Sequence, residues 1–151
     1  MQLTIVVPNG DNNISSITGS YEIFNKANQY WKALGRRPVF SIQVAGVSKK
    51  VAFSSGLFTV QPHLHIKAIQ KSHLIIVPSL NHNYQTAVKG NTALINWIAQ
   101  QYKDGAAIAS ICTGAFLLAA AGLLDGKSCS THWSVAGNFK KMFPEVRLQT
   151  D

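Results

Sequence analysis

Ala109-Ser-Ile-Cys112-Thr-Gly114-Ala-Phe-Leu-Leu-Ala119 is the stretch on which the fold turns. Ala106 to Ile111 is a short apolar run of strand type, and Thr113 to Ala121 continues as a helix. No loop residues separate the two, so Cys112 stands at a sharp strand-to-helix turn. Such a turn lifts one side chain above the sheet edge and needs small neighbours, which Thr113-Gly114-Ala115 partly supplies. Helix-start amides stabilise a thiolate, and the same amides can act as oxyanion donors. The competing reading is a small buried cysteine packed at a strand end.

Outward from this turn, the same alternation repeats. Leu3-Thr-Ile-Val-Val7 reads as a buried strand closed by Pro8-Asn-Gly10. Ile17 to Leu34 has helical spacing at Tyr21, Phe24, Ala27, Tyr30, Trp31 and Leu34, and Gly35 stops it. Val39 to Ala45 is a second strand. Val51 to Val60 suggests a short hairpin around Ser54-Ser-Gly56, and Leu74 to Val77 is another buried strand. Thr86 to Tyr102 reads as one helix ended by Asp104-Gly105, and His132 to Met142 as a further helix before Pro144. Apolar strands alternating with helices call for an α/β fold, with a mostly parallel sheet covered on both faces.

The composition agrees with a single domain. The chain has 151 residues, 46% of them hydrophobic, enough for a core. Its longest apolar run, Ala115 to Leu124, is too short to span a membrane. The first residues lack the basic region and cleavage site of a signal peptide. Two cysteines, Cys112 and Cys129, do not make a disulfide scaffold, and the cytoplasm is the expected compartment. The net charge is +8, yet the positives fall in scattered pairs such as Arg36-Arg37 and Lys140-Lys141. They form no run and no recognition motif, so direct nucleic-acid binding by these residues is not expected.

His132, in Ser130-Thr-His132-Trp133, is the natural partner for Cys112, because in an alternating fold the next strand-end loop can lie beside the turn. A Cys–His pair is the minimum for a nucleophilic thiol. The competing reading is a helix-start histidine making a local hydrogen bond. His63-Leu-His65, with His73 and His82 further on, has strand-like spacing for metal ligands, but no cysteine or acid lies beside it and no metal site is expected. Trp31, Trp97 and Trp133 read as core or interface anchors.

Ser110-Ile-Cys-Thr-Gly-Ala-Phe-Leu-Leu-Ala-Ala-Ala-Gly-Leu-Leu-Asp-Gly-Lys127, followed by Ser130-Thr-His-Trp133, resembles the ThiJ/PfpI superfamily, the class I glutamine amidotransferase-like domains. It is most similar to the subgroup at the N-terminus of AraC-family transcriptional regulators. Tyr21-Glu-Ile-Phe24, Gly56 to Pro62 and Ile75-Ile-Val-Pro78 support the likeness. The resemblance implies a flavodoxin-like three-layer sandwich with a nucleophile elbow at Cys112 in a cleft. It implies one regulatory domain over residues 1–151, lacking the last strand and closing helix of family domains and the helix-turn-helix region that follows in regulators.

In enzymatic members a cysteine and a histidine act with a carboxylate placed soon after the first strand. The nearest position here is Ser15, in Asn12-Asn-Ile-Ser15-Ser16; neither serine is a carboxylate, and Asp11 would require a shifted loop. Val77-Pro-Ser79-Leu80 stands where related chains carry a Gly-rich turn. These departures favour a binding pocket over a hydrolase. The expected ligand-facing residues are Ser15, Ser79, Cys112, Thr113 and His132, with Cys112 and His132 as the pair for any catalysis. No cofactor is implied. The expected partners are a small-molecule ligand, a second copy of the chain, and DNA reached only through a separate C-terminal domain. The alternatives are a cysteine-dependent hydrolase, hydratase or glyoxalase-like enzyme, and a dimerisation module with an inert pocket.

Overall fold

A computed structural model of the chain describes residues 1–81 and 83–149. Five strands form one parallel sheet: β1 (Gln2–Val7), β2 (Ser41–Gly46), β5 (Leu64–His65), β6 (Leu74–Val77) and β7 (Ala107–Ser110), in the spatial order β5-β2-β1-β6-β7. β3 (Val51–Phe53) and β4 (Phe58–Val60) pair as the expected antiparallel hairpin, and β8 (Ser128–Cys129) pairs with β9 (Arg147–Leu148) in a small parallel ribbon. The helices are α1 (Ile14–Ala33), α2 (Tyr84–Gly90), α3 (Thr92–Lys103), α4 (Ala115–Ala120) and α5 (Ala136–Met142). No helix of the described residues is long and apolar enough to cross a membrane.

The two-residue period of the strands divides the core into two layers. Leu3, Ile5 and Val7 of β1 join Val44 and Ile76 in a cluster with Ile17 of α1 and with Val51 and Phe53 of the hairpin. Val6, Ala45, Ile75 and Val77 point the other way, into a cluster built with Leu94, Ile95 and Ile98 of α3, Phe116 of α4 and Phe139 of α5. A sheet apolar on both faces, with helices on each, is the three-layer sandwich that the continuous apolar strands predict. α1 begins at Asn13, whose side chain accepts the Ser15 amide at 3.0 Å, and ends before Gly35, which has φ +70.

Two elements differ from the sequence expectation. The helix expected over Thr86 to Tyr102 is two helices, broken at Asn91. That side chain is buried and accepts the Asn9 amide at 2.7 Å while donating to the carbonyls of Asn9 and Ala87, both at 2.9 Å. A side chain committed to the loop after β1 outcompetes continuity of the helix. The strand expected to be buried over Ala106 to Ile111 is β7, and its Ala107 and Ala109 are exposed. β7 is the last strand in the sheet order, and α1 packs on β1 and β2. The side chains of Ala107 and Ala109, in register with Leu74 and Ile76, therefore meet no helix of the α1 layer.

Candidate functional site

The turn after β7 is anchored on both sides of Cys112. Upstream, the Ile111 amide donates to the Val77 carbonyl at 2.9 Å and extends the β6–β7 ladder by one residue. Downstream, the Thr113 hydroxyl donates to the Leu80 carbonyl at 2.7 Å and accepts the Leu80 amide at 2.8 Å. Ser79 Oγ lies 2.8 Å from the same hydroxyl. Gly114 follows, and a Cβ there would meet the carbonyl oxygens of Val77 and Pro78 at 2.7 Å each. Only glycine permits this approach. Cys112 bridges the two anchors with φ +52, a left-handed conformation that costs a residue with a Cβ about 1–3 kcal/mol. A single turn of 3-10 helix over Cys112–Gly114 then leads into α4.

The Cys112 thiol is exposed and opens on a cleft of about 480 Å³. Ser110, Thr131, His132, Trp133 and Gln149 also line it, so one cleft holds Cys112 and His132. Thr131 donates its hydroxyl to the Cys112 carbonyl at 3.3 Å, tying the Ser130–Trp133 loop to the turn. His132 caps the next turn: its Nδ1 accepts the Ser134 amide at 3.3 Å and lies 2.7 Å from Ser134 Oγ. An Nδ1 that accepts a backbone N–H leaves the proton of the neutral ring on Nε2. In that tautomer Nε2 is a hydrogen-bond donor. None of the described residues lining the cleft is an aspartate or glutamate.

The other expected ligand-facing residues are placed differently. Ser79 and Thr113 are buried with their hydroxyls turned on each other. Ser15 is exposed in the first turn of α1 and does not line the cleft; its neighbour Ser16 reaches inward, its Oγ accepting the Ser79 amide at 3.0 Å. Trp133, expected as a core or interface anchor, is 79% exposed at the cleft and stacks on His132 with ring centroids 5.5 Å apart.

Sequence reading missed Ser134 and Tyr84. Ser134 lies two residues after His132, the spacing of a side-chain cap, and that signal was available. Tyr84 stacks on Phe116 at 4.1 Å, and burial, with a smaller contribution from the Cys112 charge, pushes its phenol above the ordinary range. No local pattern pairs residues so distant in sequence. Cys129 is half-buried in β8, and burial raises its thiol. Both cysteines are free.

The described histidines outside the cleft serve the backbone. His63 accepts the Val44 amide, His65 the Lys67 amide and His73 the Gln2 amide, each through Nδ1. Among the described residues no three His, Cys, Asp or Glu side chains are grouped to hold a metal ion, and His82 lies outside the described residues.

The DJ-1/PfpI family model matches residues 18–146, most of the chain, with both Cys112 and His132 inside the match. This chain belongs to the DJ-1/PfpI family. The chain is also similar to proteins named as regulators. It is 38% identical over 56 residues to the HTH-type transcriptional regulator GbdR of Pseudomonas aeruginosa, a match over 37% of this chain and 15% of that protein. The matched stretch thus spans under a fifth of the curated relative's length. Among solved structures, a protein described as a transcriptional regulator from Vibrio parahaemolyticus superposes with a TM-score of 0.85 at 27% identity, covering 100% of this chain and 76% of the other. An AraC-family transcriptional regulator from Pseudomonas putida gives 0.74 at 19% identity, over 99% of this chain and 76% of its own, a likeness of fold. This DJ-1/PfpI chain has the flavodoxin-like architecture of those neighbours.

Proposed function

We propose that this DJ-1/PfpI domain is the ligand-sensing part of an AraC-type transcriptional regulator. It binds a small metabolite in the cleft between Cys112 and His132 and passes that state to a DNA-binding domain outside these residues. The observation that carries the reading is a cleft with the cysteine and histidine of the family but no aspartate or glutamate among the described residues that line it. The His132 Nδ1 is taken by Ser134, where a catalytic histidine would need an orienting acid. The exposed Trp133 ring and the hydroxyls of Ser110 and Thr131 supply the mixed apolar and polar wall typical of a small-molecule site. Likeness to GbdR and to the Vibrio parahaemolyticus protein supports the regulatory role.

The protein acts in the cytoplasm and as a two-fold dimer in this reading. Ile23 and Tyr30 of α1, with Leu34 just after its end, form an exposed apolar stripe at helical spacing, which supports association. DNA contact belongs to the further domain.

A second reading, a cysteine-dependent hydrolase, hydratase or glyoxalase-like enzyme, draws on the left-handed Cys112, the geometry of a nucleophile elbow. Turnover assays with methylglyoxal and simple amides decide between the two. The sensor reading expects no turnover above that of Cys112→Ala. Turnover abolished by Cys112→Ala establishes the enzyme.

A further inference from the structure

We propose that Thr113 is a positioning residue, whose hydroxyl holds Cys112 in its left-handed conformation and so aims the thiol into the cleft. The inference rests on the reading of that cleft as the functional site. It assigns Thr113 and Ser79 a part played through Cys112 instead of by touching ligand.

A threonine hydroxyl has one hydrogen and two lone pairs. Its hydrogen goes to the Leu80 carbonyl, and one lone pair takes the Leu80 amide. Ser79 must therefore donate into the second lone pair, and the hydroxyl is saturated. All three partners lie on the segment that follows β6, and Ile111 is tied to Val77, the last residue of β6. Cys112 is the one residue between these two anchors. A right-handed or extended Cys112 would rotate the peptide into Thr113 and break hydrogen bonds in the interior, where Thr113 is 4% and Ser79 8% exposed. The close approach of Gly114 to the Val77 and Pro78 carbonyls leaves no room for the turn to relax toward β6.

The test compares Thr113→Val, Thr113→Ser and Ser79→Ala with the unaltered protein. Iodoacetamide labelling is followed at both cysteines by mass spectrometry, with circular dichroism confirming the fold. Cys129 serves as the internal reference. In Thr113→Val the Cys112-to-Cys129 rate ratio falls about fivefold, as the loss of about one net hydrogen bond's worth of positioning predicts. Thr113→Ser restores the ratio to within about twofold, because it keeps the hydroxyl. Ser79→Ala, which leaves both Leu80 bonds in place, gives an intermediate ratio and decides the question where Thr113→Val does not fold. An unchanged ratio in folded Thr113→Val, or in Ser79→Ala when the valine variant is unfolded, overturns the proposal. So does a serine variant that behaves like valine, which would assign the effect to the methyl group. No ligand enters this experiment, so its failure leaves the sensing reading to be judged by ligand binding.

Discussion

Thr113 Oγ1 lies 2.7 Å from the Leu80 carbonyl oxygen and 2.8 Å from its amide nitrogen, so one side chain satisfies both backbone groups of a residue 33 positions away. This contact fastens the Cys112 turn to the segment that follows β6. The consequences can be measured on both sides of the turn.

Gly114→Ala is expected to destabilise the domain by about 1–3 kcal/mol, the usual range for forcing a methyl group into a packed site. The new Cβ would meet two backbone carbonyls, which cannot rotate away as a flexible side chain would. Urea denaturation monitored by circular dichroism measures the change. A variant as stable as the parent would show that the turn has slack.

The two thiols are expected to label at different rates near neutral pH. Cys112 is exposed at the cleft, whereas Cys129 is half-buried and its thiol is pushed up by desolvation. Alkylation followed by peptide mass spectrometry should find Cys112 modified first. Equal rates, or Cys129 first, contradict the geometry.

The raised Cys129 thiol also predicts an alkaline limb in stability. Its folded pKa exceeds its unfolded one, so the unfolded chain releases the proton first as pH climbs. Stability is fully present below the unfolded thiol's range, near pH 8.5. It declines as pH rises from there through the raised folded value. Tyr84 acts in the same direction at higher pH. Denaturation midpoints between pH 7 and 10 should fall less steeply in Cys129→Ala than in the parent; parallel curves would remove Cys129 from the explanation.

Asn91→Ala should cost about 1–3 kcal/mol, because it strands both backbone groups of Asn9 and the Ala87 carbonyl at partly buried positions. A thermal melt of the variant checks this, and a change within about 0.5 kcal/mol, the range of ordinary surface substitutions, would argue that water replaces the amide.

The sheet and the Cys112 turn were legible in the sequence because both are local signals. Leu3 to Val7 and Leu74 to Val77 are apolar runs that only a two-sided sheet buries, and strand passes to helix at Cys112 without a loop. That Cys112 and His132 line one cleft followed from the order of elements. What was not legible depends on contacts between distant residues. Asn91 breaks a helix by reaching Asn9, and nothing near Asn91 foretells that partner. Ser79 and Thr113 are the kinds of residue that face ligands, yet their hydroxyls bond each other, and Thr113 also bonds Leu80, in the interior. Ala107 and Ala109 look like core residues and are exposed, because burial depends on which strand ends the sheet.

The most direct measurement is a thermal-shift screen of the protein with small metabolites, repeated with Cys112→Ala and His132→Ala. A ligand present at about 100 times its Kd adds roughly 2.7 kcal/mol to the stability of the folded state, enough to raise the melting temperature by several degrees. The account predicts that at least one metabolite raises it and that both substitutions reduce the shift. A metabolite that stabilises the parent and both variants equally would place the binding site elsewhere and contradict the assignment of the Cys112–His132 cleft.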